Sequence, residues 1–415
     1  MRRYDVVVIG AGPAGLAASR KAYENGASVL LLEREAKLGG ILKQCIHDGF
    51  GLWRFKEKLS GPEYAEREIA SLANTSVEIR TLTYVSDIKK NNGIFNLTLI
   101  TRNGIEKVEA KNIILATGCR ERTARQIFIQ GTNPAGVFTA GSAQYYINIL
   151  GQMPTKKCVI LGSGDIGLIM ARRITLEGGK VVGVYEVKPT PSGLSRNIAQ
   201  CLNDFQIPLH LSHTVTRVFG SDRLTAVEIC KVDENMRPLI ETAEIIECDA
   251  LIISVGLIPE NEIAEKLNVV LNPKTKGPLV DQTLMTMGDN IYSCGNALHV
   301  SDLADFVSES GEIAGFNAAK KDKKNRDLRE IAIDKHLSYV VPSHIDFAVP
   351  HEEIIVYFRS ANEYENVNLI VEADGQLLFK KRYQHLRPPE MERLVLNLSK
   401  LQDPASLHLR IEDLH

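Results

Sequence analysis

The chain has 415 residues, enough for two or three domains with large apolar cores, so no disulfide framework is needed to hold it. Lysine and arginine number 49 against 51 aspartate and glutamate, a formal net charge of −2. That balance excludes the broad basic field that nucleic acid or an anionic membrane surface would require. Seven cysteines, Cys45, Cys119, Cys158, Cys201, Cys230, Cys248 and Cys294, are odd in number and contain no CxxC pair. They argue against a disulfide scaffold and a zinc site, and they suit a reducing, cytoplasmic setting.

Residues 5–33, DVVVIGAGPAGLAASRKAYENGASVLLLE, read as an apolar strand, a glycine turn, an amphipathic helix, a second apolar strand and a terminal acid. The opening MRRYDVVVIG has the charged-then-apolar look of a signal peptide, but Gly10 breaks the apolar run where a signal's core would continue. In GAGPAG, Gly10 permits the tight turn, Gly12 lets backbone approach a pyrophosphate, and Gly15 lets the helix pack on the strand. Glu33 ends the second strand, where a carboxylate can accept from ribose hydroxyls.

Segments 76–85, 94–101 and 105–115 are β-rich, with turns at Asn92-Gly93 and Asn103-Gly104. Residues 158–186, CVILGSGDIGLIMARRITLEGGKVVGVYE, then repeat the first unit, with Gly162, Gly164, Gly167 and Glu186 in the corresponding places. Two such units about 150 residues apart are a domain duplication rather than a solenoid. Residues 208–218, 224–232 and 239–247 are again β-rich. The longest apolar run, Ala250–Ile258, is about half a membrane span, so no transmembrane segment is expected. Residues 305–321 read as a helix with Gly311, Ala314, Gly315 and Ala318 on one side, and KKDKKNR at 320–326 as its solvated end and a linker. From about 335 short alternating runs follow, Ile354–Phe358, Val367–Val371, Leu377–Lys381, Leu394–Leu398 and Leu407–Ile411, the pattern of a small β-sandwich.

The fold class is therefore α/β: two Rossmann-like domains plus a small C-terminal all-β, sandwich-like domain. Two dinucleotide sites in one chain fit one nucleotide that stays and one that exchanges. At the second site the Glu186 carboxylate repels a 2′-phosphate, which favours NADH over NADPH.

The order GAGPAG at 10–15, Glu33, Gly39-Gly40, ATG at 116–118, GSGDIG at 162–167, SVGLIPE at 254–260 and IYSCGN at 291–296 resembles the two-dinucleotide-binding-domain flavoproteins, the pyridine nucleotide–disulfide oxidoreductase superfamily. The resemblance covers about residues 1–320. It implies FAD held by Gly10, Gly12, Gly15, Glu33, Gly40, Thr117, Gly118, Gly295 and Asn296, and NADH held by Gly162, Gly164, Gly167 and Glu186. It further implies an FAD domain in two pieces, 1–120 and 250–327, with an NAD(P) domain at 121–249 inserted between them and the C-terminal domain at 334–415. Asn296 stands where the family usually has Asp. An amide oxygen still accepts a hydrogen bond, but one negative charge is lost. GGILKQCIHDGFG at 39–51 and GNALHVSDLADFVSESGEIAG at 295–315 resemble, more narrowly, FAD/NAD subunits associated with glycerol-3-phosphate or proline dehydrogenases. That implies a dehydrogenase or iron–sulfur partner subunit and a homo- or hetero-oligomer.

The family's disulfide reductases carry paired cysteines beside the flavin; here Cys45 stands alone after Gly39-Gly40. Cys45 and His47 are the candidate catalytic residues, Cys45 for sulfur redox chemistry and His47 for proton transfer. Phe50 and Trp53 follow on the same loop. Asp302 and Asp305, after His299, are candidate N-caps for a helix aimed at the flavin. Three readings stay open: a flavoprotein subunit passing hydride between nicotinamide and flavin and electrons to a partner or other acceptor, a stand-alone reductase of peroxide, persulfide or small disulfides using Cys45, and an NADH-responsive interaction protein without turnover. No metal ligand set is recognised.

Overall fold

The structure is a computed structural model that describes residues 1–320, 325–350, 352–399, 401 and 406–413. Arg2–Ile9 is apolar on both sides from Val6 onward, as a parallel strand covered on both faces must be. It pairs in parallel with Val29–Leu32 on one side and Gly104–Leu115 on the other. The sheet runs Glu78–Arg80, Val29–Leu32, Arg2–Ile9, Gly104–Leu115, Ile94–Thr101, Tyr84–Asn91, with Ile291–Ser293 added in parallel beside Gly104–Leu115. The Asn92-Gly93 turn closes the last hairpin with both residues left-handed, φ 49° and 79°.

Helix α1 (Pro13–Glu24) lies on the face carrying Val6, Val8 and Ile114. Val7, Ile9 and Leu30 fill the opposite face. Helix α2 (Asp165–Leu176) is its counterpart in the second nucleotide unit, and helix α3 (Ala304–Ala319) packs along α1. The small residues on α3 explain that contact. A Cβ on Gly311 would lie 2.1 Å from the Ala14 carbonyl oxygen, and one on Gly315 would lie 2.2 Å from that of Ala18. The two helices therefore touch through backbone.

The chain forms two compact units, one of Met1–Cys119 with Pro259–His415, the other of Arg120–Ile258. The second unit extends past residue 249, because Ala250–Ile253 is an inner strand of its parallel sheet, paired with Val137–Thr139 on one side and Lys157–Leu161 on the other. Lys180–Glu186 and Leu209–Leu211 complete that sheet, and Gln130–Gly131, His213–Gly220, Leu224–Lys231 and Glu244–Glu247 form a second one.

The C-terminal region is all β. A five-stranded sheet (His344–Asp346, Leu328–Ile333, Leu407–Asp413, Tyr364–Ala373, Gln376–Leu386) and a three-stranded sheet (Leu337–Val341, Glu353–Ser360, Glu392–Asn397) share a core that includes Phe358, Leu369, Val371, Leu394 and Leu409. Its first strand starts at Leu328, six residues before the expected limit, because Ile331–Ile333 pairs in parallel with Leu407–Leu409. Of the basic stretch 320–326, residues 321–324 lie outside the described residues. Arg326 is not solvated: its guanidinium folds in to donate to Asp281 at 2.6 Å and to the Thr286 carbonyl at 2.6 Å. Among the described residues no helix is long and apolar enough to cross a membrane.

The α1–α3 contact gives a direct test. Gly311→Val is expected to destabilise the chain by about 3 kcal/mol or more through overpacking against α1, read by denaturant unfolding. Leu377→Ala, at an exposed position on a C-terminal strand, is the control and should stay within about 0.5 kcal/mol.

Candidate functional site

The two glycine turns are the same device built twice. Gly10 has φ +103°, and a Cβ there would sit 2.3 Å from the Ala116 carbonyl oxygen; Gly162 has φ +100°, and a Cβ there would sit 2.0 Å from that of Ser254. Each turn thus runs against the strand that follows in the sheet. Gly15 packs on Gly10 and Gly167 on Gly162, where a Cβ would lie 1.8 and 2.7 Å from the carbonyl oxygen. Gly12 and Gly164 differ: the nearest atom to a Cβ would be 3.9 Å away in each case. Both are helix N-caps without a side-chain cap. The first turns of α1 and α2 therefore present N–H groups and a positive dipole end to open space, which is the cradle a pyrophosphate fills.

An acid closes each cradle. Glu33 accepts from the Ala11 N–H at 2.9 Å and the Glu35 N–H at 2.8 Å. Glu186 accepts from the Ser163 N–H at 3.0 Å and the Lys188 N–H at 3.2 Å. Both side chains are buried. Their oxygens are held beside the glycine turn, where an acceptor for ribose hydroxyls is needed. The residues present fit two dinucleotides.

The remaining expected FAD residues lie in the first unit with Gly10. Gly40 approaches Gly12, with a built Cβ 3.0 Å from the Gly12 Cα. The Thr117 hydroxyl donates to the Glu260 carbonyl at 2.6 Å, and the Glu260 N–H donates to the Gly118 carbonyl at 2.9 Å, so these bonds splice the two pieces of this unit together. Gly295 donates its N–H to Ser310 Oγ at 2.8 Å and sits against Ala14. The Asn296 amide is oriented: its oxygen accepts the Ser301 N–H at 3.1 Å and its nitrogen donates to Cys119 Sγ at 3.5 Å. One oxygen lone pair is used locally, and the second remains for a ligand.

The loop after Gly40 holds both catalytic candidates. The Cys45 thiol donates to the Ile41 carbonyl at 3.4 Å, and burial pushes its pKa up to about 11. The Cys45 carbonyl accepts from the Gly61 N–H, where a Cβ on Gly61 would lie 2.5 Å away. His47 lies against Phe50, with ring centroids 5.1 Å apart, and its Nδ1 is 3.1 Å from the Asp48 carbonyl oxygen.

The expected caps are not caps. Helix α3 starts at Ala304 with Leu303 in the N-cap position, so Asp302 precedes the cap and Asp305 lies inside the first turn. Asp305 instead accepts three backbone N–H groups of the loop, from Gly51 at 3.2 Å, Trp53 at 3.1 Å and Arg54 at 2.7 Å. Asp302 is taken by the C-terminal sheets, through Arg359 and the Met391 N–H. Glu309, one turn on from Asp305, accepts both guanidinium arms of Arg393, at 2.9 and 2.7 Å, and the Tyr357 hydroxyl. Phe306 stands between Trp53 and Tyr357, with centroids 5.8 Å from each. His299 is buried against Tyr357 and Tyr339; burial, with Arg359 nearby, pushes its pKa down to about 3 and keeps the ring neutral. Arg359, Arg393 and Tyr357 were invisible as partners in the sequence, since each lies 48 to 84 residues from the acid it holds.

Asp305→Ala is expected to free the loop. It leaves three N–H donors without their charged acceptor, a loss of about 3 kcal/mol, and amide hydrogen exchange at Gly51, Trp53 and Arg54 should rise together. Unchanged protection at those amides would show that the loop is held by other means.

The family model described as "Pyridine nucleotide-disulphide oxidoreductase" matches residues 4–319. The alpha subunit of sarcosine oxidase from Corynebacterium sp. (strain U-96) is 28% identical over 61% of this chain and 26% of its own length. The HcnB subunit of hydrogen cyanide synthase from Pseudomonas protegens is 26% identical over 66% of this chain and 61% of its own. The chain thus spans about a quarter of one relative and about three-fifths of the other. Among solved structures, T. acidophilum thioredoxin reductase shares the fold with a TM-score of 0.63 at 23% identity, over 77% of this chain and 98% of its own. The match runs from the first strand to the end of α3 and takes in both cradles, so the chain belongs to the pyridine nucleotide-disulphide oxidoreductase family and is an FAD-dependent oxidoreductase that uses a pyridine nucleotide.

Proposed function

We propose that this chain is the NADH-linked flavoprotein component of a two-protein oxidoreductase and exchanges electrons with a partner dehydrogenase or iron–sulfur subunit. The observation that carries the reading is a pair of complete, carboxylate-closed cradles combined with a loop that holds a single, half-buried thiol. FAD would be held by Gly10, Gly12, Gly15, Glu33, Gly40, Thr117, Gly118, Gly295 and Asn296, and NADH by Gly162, Gly164, Gly167 and Glu186. When bound, the two nucleotides supply hydride transfer between nicotinamide and flavin.

The chain's own residues bind and orient. The N-termini of α1 and α2 neutralise pyrophosphate charge, while Glu33 and Glu186 accept ribose hydroxyls. Glu186 opposes a 2′-phosphate, which selects NADH over NADPH. Asp305 fixes the loop that carries Cys45 and His47, and His47 is that loop's proton-handling group. Cys45 has a packing role: its surroundings push the thiol pKa up, away from the thiolate form that a nucleophile needs. The relatives named as subunits support a partner, and so does the absence of a cysteine pair on the loop.

The test is anaerobic titration of the FAD-loaded chain with NADH, followed by a panel of acceptors. Loss of the flavin absorbance band on adding NADH, fast reoxidation by dyes or a copurifying dehydrogenase, and equal rates for Cys45→Ser and the parent are the expected results. Rapid turnover of a disulfide, persulfide or peroxide by the chain alone, abolished in Cys45→Ser, would establish the stand-alone reductase instead.

A further inference from the structure

We infer that Ser163 is a positioning residue for nucleotide discrimination: its hydroxyl ties the Glu186 carboxylate to the strap Lys188–Leu194, and the preference for NADH over NADPH depends on that tie. The inference rests on the reading of Glu186 as the ribose acceptor.

Ser163 is fully buried at the second position of the second glycine turn. Its Oγ donates to Glu186 Oε2 at 2.6 Å and accepts the Ser192 N–H at 2.9 Å. A hydroxyl carries one proton. Because the carboxylate can only accept and the Ser192 N–H can only donate, the direction of this relay is fixed. Glu186 then receives two donors on Oε2, the Ser163 N–H and hydroxyl, and the Lys188 N–H on Oε1. The strap is seated on the same turn at two further points. A Cβ on Gly193 would lie 2.7 Å from the Ser163 carbonyl oxygen, and Asp165 accepts the Leu194 N–H at 2.9 Å.

The duplicated first cradle serves as an internal control. Ala11 occupies the place of Ser163, so no hydroxyl can reach Glu33. The strap there is tied by the Glu35 N–H to Glu33 at 2.8 Å, as Lys188 is to Glu186, and by the Gly39 N–H to the Ala11 carbonyl at 2.8 Å, with no bridging hydroxyl. Of the two cradles, the second adds a hydroxyl that bridges its acid and the far part of its strap. A 2′-phosphate beside Glu186 would require the carboxylate to turn away and the strap to open. The Ser163 relay opposes both movements. Without the hydroxyl, Glu186 loses a charge-assisted bond, Ser192 loses its acceptor, and accommodating the phosphate costs less.

The test is calorimetric titration of NAD⁺ and of NADP⁺ into the FAD-loaded full chain, for the parent, Ser163→Ala, Glu186→Gln and the double variant. The expected result is tighter NAD⁺ binding in the parent and a fall of about tenfold in the NAD⁺:NADP⁺ affinity ratio in Ser163→Ala. The second substitution should add little in the Glu186→Gln background, since the effect passes through that carboxylate. A ratio in Ser163→Ala within about twofold of an NAD⁺-preferring parent, less than one lost charged hydrogen bond implies, overturns the role of Ser163 and leaves the NADH reading standing. A parent that binds NADP⁺ as tightly as NAD⁺ overturns the NADH reading itself.

Discussion

The backbone contact between α1 and α3 is the constraint on which the first unit depends. α1 belongs to the glycine turn at the start of the chain, and α3 follows the inserted second unit, nearly 300 residues later. Four small residues, Ala14, Ala18, Gly311 and Gly315, let the two helices meet without intervening side chains. The splice through Thr117, Gly118 and Glu260 and the seating of Gly295 on Ala14 hold the same two pieces of chain together. A side chain at Gly311 would push the segment carrying Gly295 and Asn296 away from the turn carrying Gly10 and Gly12. A nucleotide cradle drawn from both ends of a discontinuous unit needs this kind of close, non-adjustable register.

The duplication shows which features of a cradle physics requires and which are free. Positive φ at the first glycine, open space at the second and tight packing at the third recur in both copies, as does an acid bonded to the N–H of the residue after the first glycine. These are set by the approach of a pyrophosphate and a ribose to backbone, which allows little variation. The acid needs only the N–H of the residue after the first glycine, so the side chain there can differ: Ala11 in one copy, and Ser163 in the other, where the hydroxyl adds a bond to the acid. Both acids are buried beside backbone donors, which hold them in place beside the turn.

The cradles were legible in the sequence because their demands are local: three glycines, an adjacent helix and an acid one strand on. The hairpin at Asn92-Gly93 was legible for the same reason. Asp302 and Asp305 were misread as caps. Acids just before a helical pattern satisfy the capping preference equally well, and what distinguishes them here is contact with Arg359 and with the backbone of Gly51–Arg54, far away in sequence. The limits at 249 and 334 were displaced for a related reason. Ala250–Ile253 and Leu328–Ile333 are short apolar strands whose sheet is decided by partners about ninety and about eighty residues away. Arg326 looked like part of a charged run, but its carboxylate partner Asp281 gave no sequence signal.

The acids around the start of α3 also give the C-terminal sheets a physical role in this unit. Asp302 and Asp305 lie at the positive end of the helix and are stabilising there even before they find partners, while Glu309 lies a turn further on. Each then takes a different partner: Asp302 the Arg359 guanidinium and the Met391 N–H, Asp305 the loop backbone, Glu309 the Arg393–Tyr357 pair. Phe306 fills the space between the loop's Trp53 and the sheet's Tyr357, so the loop and the C-terminal sheets grip one helical turn from two sides. Buried groups accept such pairing only when their charges are matched. The neutral His299 beside Arg359 is consistent with that, because a second positive charge there would be both buried and repelled. The C-terminal sheets therefore fix the position of the helix that also holds the Cys45–Trp53 loop, and they do so through residues with no chemistry of their own.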